Sequence, residues 1–192
     1  MPPKAKFSRE EIIAAALEIT RQNGPEAVTA RELGNKLNSS ARPIFTVFQN
    51  MDEVLEEVMK AAKEVYKEYI YEGLKENPAF KGVGRAYIRF AVQEGKLFQL
   101  LFMREQKEKK GIESILGAID DNYEAILKSV KDGYALSEED ALRIYQNIWV
   151  FTHGIATLCA TGVCLFTEEE SDAMLTEVFI SLLIKIKGEK KG

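Results

Sequence analysis

The chain has 192 residues, 46% of them hydrophobic and 29% charged, and a formal net charge of −4. That length supports one sizeable core or two small ones in an ordinary globular composition. The acidic total excludes a wholly basic nucleic-acid binder, but residues 1–50 carry seven Lys or Arg against five Asp or Glu, and the remainder nineteen against twenty-five. A basic head on an acidic body suits a protein whose amino end alone meets phosphates. Five prolines and thirteen glycines interrupt long stretches rich in Ala, Leu, Glu and Lys, so the expected class is all-α.

Residues 1–7 hold Lys4 and Lys6 and read as a basic arm without the apolar run of a secretory signal. Cys159 and Cys164 lie in an apolar stretch as small hydrophobes, and a reduced cytoplasm is the expected location. Ser8 with Glu11 forms a capping box that opens a first helix, and Asn23-Gly24-Pro25 ends it. Ile12, Ile13, Ala16, Leu17 and Thr20 form its inward stripe.

The stretch from Val28 to Phe48, VTARELGNKLNSSARPIFTVF, holds two short helical patterns around a polar break. Thr29 with Glu32 gives a second capping box, and Leu33 and Leu37 fall one turn apart on one face. Asn38-Ser39-Ser40 ends that helix, and Ser40 is placed to cap the next. Ile44, Phe45 and Phe48 form the apolar side of that second piece, with Pro43 in its first turn, where a missing N–H is tolerated. Two helices of this length with a tight turn between them make a helix-turn-helix candidate.

Asn50 with Glu53 begins a much longer helix that carries Val54, Val58, Ala62, Tyr66, Tyr69 and Ile70. Asn77-Pro78 restarts the chain into a helix marked by Tyr87, Ile88 and Phe90, which Gly95 breaks before a short aromatic helix with Phe98 and Phe102. Beyond the charged link Glu105–Lys110, Ile112 to Val130 keeps helical spacing and is predicted as one helix. Gly133-Tyr134 turns the chain, and Ser137 caps a helix that enters Ile148–Phe166, a run without any charge. That run nears the length of a membrane span, but its Thr, His and Gly residues and the lack of flanking positive charge favour a helix buried by protein, partner subunit included. Thr167 with Glu170 opens the last helix, which is apolar on two sides, so the final two helices are expected to form an intersubunit bundle. About nine helices are expected: a helix-turn-helix head over 1–50 and a helical body over 51–192.

The order NGPEAVT, TARELGNKL, SSARPIFTVF, NMDEVLEEV over residues 8–58 resembles the tetracycline-repressor (TetR) family of bacterial transcriptional regulators. The carboxy half resembles the subgroup with a Trp-x-x-x-His-Gly signature, here Trp149, His153 and Gly154, preceded by YIRFAVQEGKLFQLLF. The resemblance implies a homodimer on a palindromic DNA operator, usually repressing. A small molecule in the carboxy-terminal domain shifts the spacing of the two heads and releases them. Carried over by position, Ala41, Arg42 and Thr46 face base edges, and Thr29, Ala30, Ser40, Phe45 and Gln49 lie along phosphates, with Lys4, Lys6 and Arg9 nearby. A guanidinium can pair bidentately with guanine, and a threonine methyl can meet thymine. Members commonly have tyrosine at Phe45, His or Tyr at Val47 and lysine at Met51, so weaker affinity and a shallow salt dependence are expected here.

The same resemblance places the aromatics of the body on pocket-lining helices. The preferred cavity set is Tyr66, Tyr87, Phe102, Tyr123 and Trp149, for an apolar or aromatic effector, cationic if a ring face is left open. His153 is either a ligand contact or an imidazole bonded to a neighbouring helix. No nucleophile–base pair, Gly-rich phosphate loop or histidine pair is present, so no enzyme, metal or cofactor is expected. The competing classes are a helical adaptor that has lost DNA binding and an all-α enzyme that uses the aromatic pocket.

Overall fold

The computed structural model describes residues 6–105 and 111–189. Among these, nine α-helices occur: α1 (Arg9–Asn23), α2 (Ala30–Lys36), α3 (Met51–Leu74), α4 (Ala79–Gln93), α5 (Gly95–Phe102), α6 (Ile112–Ile119), α7 (Tyr123–Tyr134), α8 (Glu138–Ala160) and α9 (Glu168–Glu189). The described residues contain no strand, as the composition predicts.

Local chemistry sets most of the boundaries. Both halves of the capping box form at Ser8: Glu11 N donates to Ser8 Oγ and Ser8 N to Glu11 Oε2, at 3.1 and 2.7 Å. The box at Thr167 and Glu170 is likewise complete, at 2.9 and 3.1 Å. At α2 only half of the expected box forms. Thr29 Oγ1 accepts from Glu32 N, while the Thr29 amide already donates to Ala27 O and has no need of the Glu32 carboxylate. Gly24 ends α1 at φ 88°, a left-handed value glycine takes without a Cβ penalty.

Three expectations need correction. The predicted second helix over 40–48 is instead a turn followed by a short 3-10 helix, Ile44–Thr46. Ile44 N donates to Ala41 O, Thr46 N to Pro43 O and Val47 N to Ile44 O, all three residues apart. Pro43 supplies no N–H and disfavours helical backbone at Arg42, and the β-branched Ile44, Thr46 and Val47 add little helical preference. Ser40 therefore caps no α-helix. The single helix predicted over 112–130 is broken into α6 and α7 at Asp120–Asn122, where Asp120 Oδ1 accepts from Asn122 N at 2.8 Å. Short polar side chains that bond to nearby backbone compete with helix propagation. The uncharged run from 148 to 166 is not one helix: α8 stops at Ala160, and Gly162 turns the chain at φ 70°. Among the described residues no helix is long and apolar enough to cross a membrane.

Packing divides the chain into two compact units. One comprises residues up to Val65 with Glu94–Arg104; the other comprises Tyr66–Gln93 with the residues beyond the 105–110 link. The first unit buries Ile12 and Ala16 of α1, Leu33 of α2, Ile44 and Phe48 of the following turn, Val54 and Val58 of α3, and Leu97 and Phe98 of α5. A head of about fifty residues buries little surface alone, and the start of α3 together with α5 enlarges its core. In the second unit α4 packs on α8, with α7 and α9 against both. There the backbones of α3 and α4 cross so closely that a Cβ on Gly73 would lie 2.6 Å from Gly82 O.

Candidate functional site

In the first unit, residues 29–49 present polar side chains outward from an apolar anchor. Leu33, Ile44 and Phe48 are buried, while Thr29, Ser40, Arg42, Phe45, Thr46 and Gln49 are exposed and Ala30 and Ala41 half-buried. Gly34 of α2 allows the turn to fold back: a Cβ there would lie 3.0 Å from Ser39 O and 3.1 Å from Ala41 N. Ser39 N also donates to Gly34 O at 2.9 Å. The exposed Arg42 makes no ion pair among the described residues, so its guanidinium is uncommitted. Thr46 Oγ1 donates to Pro43 O at 2.6 Å, which leaves its methyl and oxygen lone pairs outward. Phe45, at 46% exposure, is an apolar ring without a local shelter.

The amino-terminal approach to this surface is also organised. Lys6 Nζ donates to Ser39 Oγ at 2.9 Å, so a cation from the arm sits beside the turn; Lys4 lies outside the described residues. Arg9 is committed elsewhere. Its guanidinium pairs with Glu53 at 3.0 Å and Glu57 at 3.3 Å and lies 4.4 Å from the Phe48 ring centroid. Hydrogen bonds from the Gln49 amide and then from Arg9 hold the Glu53 carboxyl below its usual range. Arg9 thus ties α1 to α3 across the head.

The second unit contains a hollow of about 30 Å³ lined by Tyr66, Phe80, Val83, Gly84, Tyr87, Asp120, Ile126, Tyr145, Ile148, Trp149 and Thr152. Three of the expected cavity residues, Tyr66, Tyr87 and Trp149, meet there. Tyr123 instead stacks on Tyr145, with ring centroids 5.8 Å apart. Phe102 packs on Phe98 at 5.1 Å in the first unit. His153 stands behind the wall: its ring lies 5.0 Å from Trp149, nearly parallel, and Nδ1 is 2.9 Å from the Tyr87 hydroxyl on α4. Burial lowers its pKa, favouring the neutral ring.

Asp120 is the residue that sequence reasoning missed. It is 6% exposed, and the Tyr66 hydroxyl donates to its Oδ2 at 2.5 Å. Burial pushes the carboxyl above its ordinary range, opposed by the bonds from Tyr66 and Asn122. Burial, and secondarily the nearby Asp120 charge, pushes the Tyr66, Tyr87 and Tyr145 phenols up, so these rings stay neutral hydroxyl carriers. The signal was present as Asp120-Asp121-Asn122, a helix-breaking triplet inside an apolar pattern. A second hollow of about 300 Å³ adjoins the first and shares Phe80, Gly84 and Ile148 with it.

Comparison with known protein families matches residues 12–58 to the tetR family of bacterial regulatory proteins. Residues 80–181, more than half the chain, match the tetracyclin repressor-like C-terminal domain. No curated protein matches the chain. The two matches, in this order on an all-helical chain, make it a member of the TetR family and hence a transcriptional regulator.

Proposed function

We propose that the protein is a ligand-responsive repressor that binds a palindromic DNA operator as a homodimer and releases it when a small molecule occupies the second unit. In this reading residues 1–50 carry the DNA contacts and 51–192 the effector and subunit contacts, in the bacterial cytoplasm. The observation that carries it is the surface of residues 29–49, where Arg42, Thr46 and Gln49 project outward while Ile44 and Phe48 fix the segment from beneath. Arg42 and Thr46 serve as base readers. Ala41 faces the base edges beside them, Thr29, Ala30, Ser40, Phe45, Gln49, Lys4 and Lys6 lie along the backbone or beside it, and amides and hydroxyls supply phosphate contacts.

Dimerisation is supported by apolar side chains that the single chain leaves uncovered. Val150 and Leu158 of α8 flank Gly154, where an added Cβ would meet nothing within 4 Å, and Ile184 of α9 is 67% exposed. The test is selection from random duplexes by the purified full chain at low salt. Enrichment of an inverted repeat is the expected result; equal retention of every sequence overturns the reading. The exposed Phe45, where members of the family commonly have a tyrosine, favours one second reading, an adaptor that has lost DNA binding. Absence of any enriched duplex together with an intact dimer would favour it.

A further inference from the structure

Asp120 is a buried carboxylate with two hydrogen-bond donors, the Tyr66 hydroxyl and the Asn122 amide. No lysine or arginine among the described residues pairs with it. A carboxylate accepts about four hydrogen bonds, so these two donors leave acceptor capacity on Asp120, which lines the hollow. Around it stand the rings of Tyr66, Tyr87, Tyr145 and Trp149, whose faces attract cations. A buried charge without a counter-charge is unfavourable, and a ligand that brings one relieves that penalty.

Size narrows the class. About 30 Å³ accommodates a water-sized group, which suits a primary ammonium and not a trimethylated one. The adjoining hollow of about 300 Å³ is apolar, walled by Phe80, Tyr134, Leu175, Phe179 and Leu183. Its one cation, Lys81, is already paired with Asp172 at 2.8 Å. Gly84 lines both spaces, and a Cβ added there would approach Leu175 Cδ1 to 3.3 Å.

We propose that the effector is a primary amine with an aryl or alkyl body, its ammonium bound to Asp120 and its body lying past Gly84 in the larger hollow. This rests on the reading of the second unit as an effector domain, and its test needs no DNA. Calorimetric titration of the full chain with 2-phenylethylammonium, 2-phenylethanol and phenylacetate compares one body with three head charges. The amine is expected to bind at least about tenfold tighter than the alcohol, with the carboxylate weakest. Phenylethyltrimethylammonium is expected to bind more weakly than the primary amine. Asp120→Asn is expected to erase the preference of amine over alcohol. Equal binding of amine and alcohol to the unaltered protein overturns the proposal without recourse to a variant. Equal binding of the primary and quaternary ammonium, or an unchanged amine preference in Asp120→Asn, also overturns it. Each of these failures would leave DNA selection by the head unaffected, so the two readings fall separately.

Discussion

Arg42 and Asp120 are both charged residues without a charged partner among the described residues, one exposed and one buried, and they predict different measurements. Arg42→Ala removes a side chain that holds nothing in the folded head, so thermal stability is expected to stay within about 0.5 kcal/mol of the parent. Affinity for a selected operator is expected to fall by about 1–3 kcal/mol, with specificity relaxed at one base pair of each half-site. Competition binding reads both; an unchanged operator preference would remove Arg42 from the reading set. Asp120 predicts a pH effect. Its folded pKa lies above the ordinary carboxylate value, so between those two values the folded protein binds more protons than the unfolded chain. Stability contributed by this group therefore falls as pH rises through that window. His153 works oppositely: its folded pKa lies below the ordinary histidine value, and its contribution is lost as pH falls below about 6.5. Comparing urea unfolding of the parent and Asp120→Asn across pH isolates the first term. The stability of the parent relative to the variant is expected to decline on going from about pH 4 upward, and a flat difference would contradict the raised pKa.

At the scale of elements, Gly34 is the position where helix propensity and packing disagree. Alanine is preferred over glycine in a helix by about 1 kcal/mol, yet its Cβ would press on Ser39 O and Ala41 N at 3.0 and 3.1 Å. The turn that carries Arg42 would have to shift, so Gly34→Ala is expected to destabilise the head or to weaken operator binding despite the gain in propensity. A variant with raised thermal stability and unchanged affinity would show that the turn yields freely. The helices themselves were legible where caps and periodicity agreed, as at Ser8, Asn50, Ser137 and Thr167. They were not legible where one residue overrode a pattern. The spacing of Ile115, Leu116, Tyr123 and Ile126 continues unbroken across Asp120, because periodicity records which residues are apolar and not whether the backbone between them stays helical. Pro43 is tolerable in a first turn, but together with the β-branched residues after it, it leaves only a turn and the three-residue 3-10 helix Ile44–Thr46. Of the aromatic residues around the hollow, Tyr66, Tyr87 and Trp149 were in the set drawn from the resemblance, while Tyr145 was not. Nor was its acidic member, because a single Asp becomes informative only once Tyr66, fifty-four residues away in sequence, is seen to donate to it.

For the whole molecule, the unresolved energetic question in a single chain is the apolar surface left on α8 and α9. Val150 is 54% and Leu158 38% exposed, one on each side of Gly154, so the helix carries a low central spot between two apolar shoulders. A second helix can approach closely at such a spot, and ridges of side chains pack beside it. On the proposed reading a second copy covers this face together with Ile184. Charges placed there are nearly costless to the isolated chain because the positions already face water, but they are buried without a partner in the dimer, at several kcal/mol each. Ile184→Glu combined with Val150→Glu is therefore expected to leave the helical content intact. It should reduce the sedimenting species to a single chain of 21.6 kDa. Loss of the dimer removes the second head from a palindrome, and with it the effective concentration that tethering provides, so operator affinity should fall by about a hundredfold or more. Binding to a single half-site should change little. A double variant that still sediments as a dimer would place the subunit contact elsewhere. One that dissociates yet retains full operator affinity would separate dimerisation from DNA binding.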